Sequence, residues 1–255
     1  MHASIARSIP ADKAVLRAYA HADYAHLERR LDAAAPLRVQ PLVLTESLFS
    51  MDGTELDVPR MADIRAKHGL FLMVDEAHAV GALGPGGRGL CAALPGTADI
   101  VLGTFGKALG LFGSFLLLPE GFTALFEYLS SPIMHSTAMP PAHAAAVLRL
   151  LERLPRLEAQ RSRLRENAVF FRNRLENYGI PSRGTAHIVA VPIGEEARTA
   201  RLGAQLAAKG ILALAARYPT VPQGDGLLRF NLTSLHSRDM LAHTARTLAE
   251  LLGTS

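Results

Sequence analysis

The run Leu70-Phe71-Leu72-Met73-Val74 constrains this chain more than any other stretch, because five consecutive apolar residues are cut off at once by Asp75-Glu76-Ala77-His78. A strand with no polar face must be covered on both sides, the situation of an inner strand in a parallel sheet. A helix over 58–68 precedes it: PRMADIRAKHG opens with Pro59 and stops at Gly69, the proline-first, glycine-last asymmetry of helices. Pro41 to Leu44 reads as a strand that runs through Thr45–Ser50 into a turn at Met51-Asp52-Gly53, and Ile100-Val101-Leu102 and Phe115 to Leu118 read as later strands. Strand, helix, strand order gives the α/β class.

The character of the chain changes near residue 140. Beyond Pro140-Pro141 the stretch 141–178 is rich in Ala, Leu, Arg and Glu with helical apolar spacing, and Pro155 marks a break inside it. After Gly179, HIVAVPIG, ILALAA and LLRFNLTS alternate with the helical patterns ARTARLGAQLAAKG and SRDMLAHTARTLAELLG. The organisation expected is a large-domain portion over 1–140, a linker helix region over 141–178 and a small α+β domain over 179–255. Two domains meeting at a cleft commonly hold a small ligand.

Composition narrows the function classes. With 255 residues, 49% hydrophobic and 20% charged, disorder, collagen and coiled coil are excluded. Lys+Arg 27 against Asp+Glu 23 leaves +4, with no run of like charges to mark a nucleic-acid footprint, so no nucleic-acid partner is expected. The single cysteine, Cys91, supports neither an intramolecular disulfide nor a cysteine-based metal site, and no metal is expected. No apolar run reaches the roughly 18 residues of a membrane span, and MHASIARSIPADK lacks a signal-peptide core, so a cytoplasmic location is expected.

Four polar clusters fall at or just past apolar runs: Ser50, Asp75 with His78, Thr104 with Lys107, and Arg229 inside LLRFNLTS. Open α/β sheets bind ligands at the carboxyl ends of their strands. A carboxylate directly after a buried strand, as at Asp75, calls for a cationic or metallic partner, with a cap or salt bridge as the plainer alternative. Lysine is confined to positions 13, 67, 107 and 209, and Lys107 alone lies among Gly103, Gly106, Gly110 and Gly113 with Phe105 and Phe112 as neighbours. A desolvated ammonium loses its proton more easily, as a Schiff-base nucleophile requires; a surface lysine in a glycine loop is the plainer alternative. Thr104 offers a hydroxyl to a phosphate. Gly84, Gly86 and Gly89 satisfy G-x-G-x-x-G, but Asp75–Ala82 separate them from the strand and no good helix follows, so a dinucleotide fold is set aside.

TESLFSMDG, FLMVDEAHAVGALGPGGRG, DIVLGTFGKALGLFGSF, HSTAMPPA and YPTVPQGDGLLRFNLTSLHS together resemble the α-oxoamine synthases. These are pyridoxal-phosphate enzymes of the fold-type I, class II aminotransferase-like group. The resemblance implies a transferase that condenses an amino acid, alanine, with an acyl-CoA or acyl-carrier-protein thioester and releases carbon dioxide to form an α-amino ketone. Within the family, TVPQG and STAMPP look most like the biotin-pathway member. The resemblance assigns Lys107 to the covalent link with pyridoxal 5′-phosphate and to proton movement at the substrate Cα, and Asp75 to the pyridinium nitrogen. It places His78 on the ring 3′ oxygen, Ser50 and Thr104 at the cofactor face and phosphate, and His2 stacked on the ring. Arg229 would take the substrate carboxylate. Ser136 and Thr137 would reach a neighbouring subunit's phosphate, which implies a homodimer.

Two departures from the family accompany these matches. Its His-Asn-Asp triplet stands here as His21-Ala22-Asp23. The match begins at the ring-stacking histidine, so the family's N-terminal arm and the first part of its large domain are expected to lie outside these 255 residues, leaving sheet edge and apolar surface to be covered by other chain. The competing readings are a non-catalytic fold-type I subunit and a simple aminotransferase.

Overall fold

The computed structural model describes residues 3–9 and 14–254. The chain divides into two compact units, one holding residues up to 48 together with 56–157, the other holding 49–55 together with 158 onward. In the first, α1 (Ala3–Ser8) and α2 (Tyr24–Ala34) precede β1 (Leu42–Glu46), α3 (Val58–His68), β2 (Phe71–Asp75), β3 (Ile100–Thr104) and β4 (Ser114–Leu117). Helices α4 (Phe122–Leu129), α5 (Ser131–Met134) and α6 (Pro141–Arg153) complete it. The sheet order is β1-β2-β3-β4, with β1, β2 and β3 parallel and β4 antiparallel to β3. The α/β class is therefore observed, and the Leu70–Val74 run supplies the inner strand β2.

Burial of β2 is uneven. Leu72 and Val74 are wholly buried against Met61 and Ile64 of α3 and Leu27 and Leu31 of α2, while Phe71 and Met73 on the other face are half-buried. Helix α3 has the expected signals: Asp57 caps it by accepting from Arg60 N at 3.1 Å, Pro59 lies in its first turn, and Gly69 ends it at φ 58°. One carboxylate ties this layer together. Asp99 accepts from Arg65 Nε of α3 at 2.9 Å and from Leu72 N of β2 at 2.8 Å, and its own N–H donates to Leu72 O. The cost of burying Asp99 is outweighed by these donors, so its carboxyl is held below the usual range. On β3, Gly103 leaves room for the ring of Phe115 on β4 to lie across it: a Cβ there would lie 2.1 Å from Phe115 Cζ.

The second unit contains α7 (Glu158–Asn177), β5 (Ile188–Gly194), α8 (Glu196–Ala208), β6 (Leu214–Ala216), β7 (Gly226–Asn231) and α9 (Arg238–Leu252). Its antiparallel sheet runs β5-β7-β6. Val189, Val191, Leu228 and Phe230 form the face packed against Phe171 and Leu175 of α7, Leu202 and Leu206 of α8, and Leu241 and Leu248 of α9. Each such side chain contributes about 1.5–3 kcal/mol by leaving water. The division between the units falls at Leu157–Glu158, just past the Pro155 break, so the two halves of the 141–178 helical region belong to different units. Among the described residues no helix is long and apolar enough to cross a membrane.

Residue 22 shows what the altered His-Ala-Asp triplet does locally. Ala22 has φ 52°, the left-handed region, immediately before Asp23, whose side chain caps α2 by accepting from His26 N at 2.8 Å. Asparagine tolerates this conformation and alanine does not, at a cost of about 1 kcal/mol. Ala22→Asn is therefore expected to raise the chemical-denaturation midpoint, and Ala22→Val to lower it. Identical midpoints for all three chains would show that the turn carries no strain.

Candidate functional site

Parallel strands end on a common edge, so β1, β2 and β3 deliver Glu46, Asp75 and Thr104 to the same side of the sheet. Asp75 is 8% exposed, and its Oδ1 accepts from Ala77 N at 2.8 Å, which closes the turn carrying His78. Strand β3 ends at Thr104 and enters the glycine-rich loop to β4. Thr104 Oγ1 donates to Gly113 O and accepts from Gly106 N, each at 3.1 Å, while Phe105 N donates to Gly113 O at 2.9 Å. Inside this frame Gly110 N donates to Lys107 O at 3.1 Å, and His143 Nε2 on α6 lies 2.7 Å from Phe112 O. The lysine loop is thus a held turn.

The two loops touch. Gly81, at φ 90°, packs so closely on the lysine loop that a Cβ there would meet Ala108 Cβ at 2.7 Å. The turn with Asp75 and His78 is thereby set against the loop with Lys107, and the structure brings together these residues and Thr104 within the first unit. Lys107 is exposed, so the burial expected for its amine is not provided by the described residues of this chain: it sits in the loop beyond the end of β3 and not on a strand. The Thr104 hydroxyl donates to Gly113 O, so its proton must turn from that carbonyl before it can be offered to a phosphate oxygen.

In the second unit Arg229 lies on β7 in register with Ala190 of β5 and Leu214 of β6. Alternation places it on the face of Ala190, Ala216 and Leu227, the side on which Met51 packs, and opposite the helix-covered face. The segment 49–55 is docked on this unit by the contact of Gly53 with Gly184, where either Cβ would come within 2.3 Å of Ile188 O, and by Thr185 Oγ1 donating to Glu55 at 2.5 Å. Ser50 sits in that segment, in a turn closed by Gly53 N donating to Phe49 O. Arg229 is 9% exposed. Ser136 and Thr137 lie in the exposed stretch after α5, and His2 lies outside the described residues.

Two polar residues escaped the sequence reading. Glu76 is buried beside Asp75, where its carboxylate accepts from Ser47 Oγ. His187, just before β5, has a buried Nδ1 without a hydrogen-bond partner among the described residues, and burial followed by the charge of Arg229 lowers its pKa to about 4. Its position ahead of an apolar strand was visible, but its proximity to Arg229 depends on β5–β7 pairing.

The donor set suits pyridoxal 5′-phosphate. A buried carboxylate can hold a ring N–H, a primary amine on the adjoining loop can condense with an aldehyde, and a hydroxyl and glycine-loop N–H groups can meet a phosphate.

Residues 1–248 match the sequence profile of the aminotransferase class I and II family. The 8-amino-7-oxononanoate synthase of Chlorobaculum parvum is 37% identical over 252 residues, covering 97% of this chain and 64% of that protein. Among solved structures, 8-amino-7-oxononanoate synthase from Francisella tularensis superposes with a TM-score of 0.86 at 26% identity, covering 99% of this chain and 73% of that one. Serine palmitoyltransferase from Sphingomonas wittichii gives a TM-score of 0.84 at 26% identity, covering 92% and 60%. The architecture is the fold-type I one. The chain spans about three fifths of the length of the curated relatives it matches.

The lowered His187 pKa predicts an acid-sensitive stability. From its ordinary 6.5 down to about 4 the unfolded chain binds a proton that the folded chain does not, so stability falls as pH drops through that window. The full effect is on the order of 3 kcal/mol. Urea melts between pH 6.5 and 4 should lose part of their pH slope in His187→Gln. A slope unchanged by that substitution would remove His187 from the account.

Proposed function

We propose, for a chain that belongs to the aminotransferase class I and II family, the activity of a pyridoxal 5′-phosphate-dependent α-oxoamine synthase of the 8-amino-7-oxononanoate type. Its substrates are an amino acid, alanine, and an acyl-CoA or acyl-carrier-protein thioester. The observation that carries this reading is the packing of Gly81 on Ala108, which sets the Asp75–His78 turn against the Lys107 loop. The wording of those two loops, DEAHAVG and GTFGKALG, favours a synthase over a simple aminotransferase.

The cofactor supplies an aldehyde that captures an amine and a ring that withdraws electrons from the bond being broken. Lys107 Nζ would hold the cofactor covalently at rest and would take and return the proton at the substrate Cα. Asp75, held at its Oδ1 by the bond from Ala77 N, would keep the ring nitrogen protonated. His78 holds the ring oxygen, and Ser50 and Thr104 hold the cofactor face and phosphate. The Arg229 fork orients the amino-acid carboxylate. The new bond joins Cα to the acyl carbonyl carbon; the thiol leaves, the carboxyl group departs as carbon dioxide, and a proton is restored to Cα. A homodimer, with Ser136 and Thr137 of one subunit reaching the other's phosphate site, completes the proposal.

Pyridoxal 5′-phosphate added to the 255-residue chain should give a visible absorption band that borohydride reduces to a permanent adduct on Lys107, and Lys107→Ala should abolish it. A permanent adduct in that variant would move the attachment elsewhere. Loaded protein with alanine and a pimeloyl thioester should release carbon dioxide and thiol in equal amounts, whereas release of pyruvate without thiol would identify an aminotransferase. Arg229→Lys should weaken alanine binding by about 2–4 kcal/mol while leaving cofactor binding near that of the parent. An unchanged alanine titration would reject the carboxylate role.

A further inference from the structure

Glu76 is 1% exposed, and all of its polar atoms are used. Its Oε2 accepts from Ser47 Oγ at 2.5 Å and from Leu90 N at 3.0 Å, and its Oε1 accepts from Cys91 N at 2.7 Å. Its own N–H donates to Leu102 O of β3 at 2.8 Å, while its carbonyl accepts from Ala79 N and Val80 N at 2.9 Å. One residue therefore binds the residue just past β1, the middle of β3, the turn that carries His78 and the loop after the glycine-rich stretch 84–89. Gly89 makes the approach possible, since a Cβ there would lie 2.6 Å from Glu76 Oε2.

We propose that Glu76 is a positioning residue, whose carboxylate clamps the turn between Asp75 and His78 so that both side chains meet the cofactor ring in fixed places; this rests on the function proposed above. The chemistry requires a carboxylate. Three donors converge on two oxygens, and charge-assisted bonds of this kind are about twice as strong as neutral ones. Glutamine offers one oxygen and turns an NH2 toward at least one N–H donor. The clamp is distinct from the reacting groups, because its donors come from residues 47, 90 and 91, and none of these is assigned to the cofactor.

Cys91, the chain's single cysteine, reports on the clamp independently of any cofactor. Its N–H is one of the three donors and its thiol is 8% exposed. Burial, and secondarily Glu76, raise the thiol pKa, so labelling by an aromatic disulfide reagent is followed across pH to separate thiolate fraction from access. Glu76→Gln and the milder Ser47→Ala are compared with the parent by thermal melt, Cys91 labelling and titration with pyridoxal 5′-phosphate. The expected result is a folded Glu76→Gln chain that labels faster at every pH, binds the cofactor about ten-fold more weakly and shows a shifted pH profile of the visible band. Ser47→Ala should move all three readouts in the same direction by less.

Faster labelling with parental cofactor affinity and parental band profile would overturn the proposal and leave Glu76 a purely structural clamp. If Glu76→Gln does not fold, the same outcome in Ser47→Ala overturns it. A parent chain that labels slowly yet takes up no cofactor would instead refute the function proposed above, separating that failure from this one.

Discussion

A carboxylate buried at the end of an apolar strand must be met by donors, and much of the first unit is arranged around that requirement. Two adjacent residues, Asp75 and Glu76, face it together where β2 leaves the sheet. Glu76 collects its donors from Ser47, Leu90 and Cys91, whereas Asp75 accepts from the local N–H of Ala77. One carboxylate is consumed by architecture and its neighbour is held in place by it. Removing one of the three donors to Glu76 would leave the buried carboxylate less fully compensated.

The same edge carries the lysine loop, and its order comes from a different source. Glycines at 106, 110 and 113 would suggest mobility, yet the loop is closed by Thr104, by the Phe105–Gly113 bond and by His143 at Phe112 O. Gly81 then lets the neighbouring turn come into van der Waals contact with Ala108. Glycine serves here for close approach. A side chain at residue 81 would separate the two loops, and with them the carboxylate from the amine.

What could be seen in the sequence divides along the range of the interactions. The strand at 71–75, the helix capped between Asp57 and Gly69, and the break at Pro155 all follow from residues a few positions apart. So did the candidate residues at strand ends, since a polar group after an apolar run is a local signal. Glu76 gives no such signal, because two of its three donors are backbone N–H groups of residues 90 and 91, which no side-chain pattern advertises. His187 needed the pairing of β5 with β7, and the exposure of Lys107 needed the course of its loop. The placement of 49–55 with the second unit was equally hidden, because it depends on Gly53 meeting Gly184.

That glycine contact bears on the order in which the chain can fold as it is made. Residues 49–55 leave the ribosome early, but the strand and turn that receive them come far later: Thr185 and Glu55 are 130 residues apart. Closing so long a loop costs entropy that no local contact returns, and pairings of this separation slow folding. During synthesis the segment must wait, tethered between β1 and α3 of the earlier unit, until β5 has emerged. The second unit is consequently not encoded by any single uninterrupted stretch of the message, and expressing 158–255 alone would produce a sheet whose Arg229 face lacks its covering strand of chain.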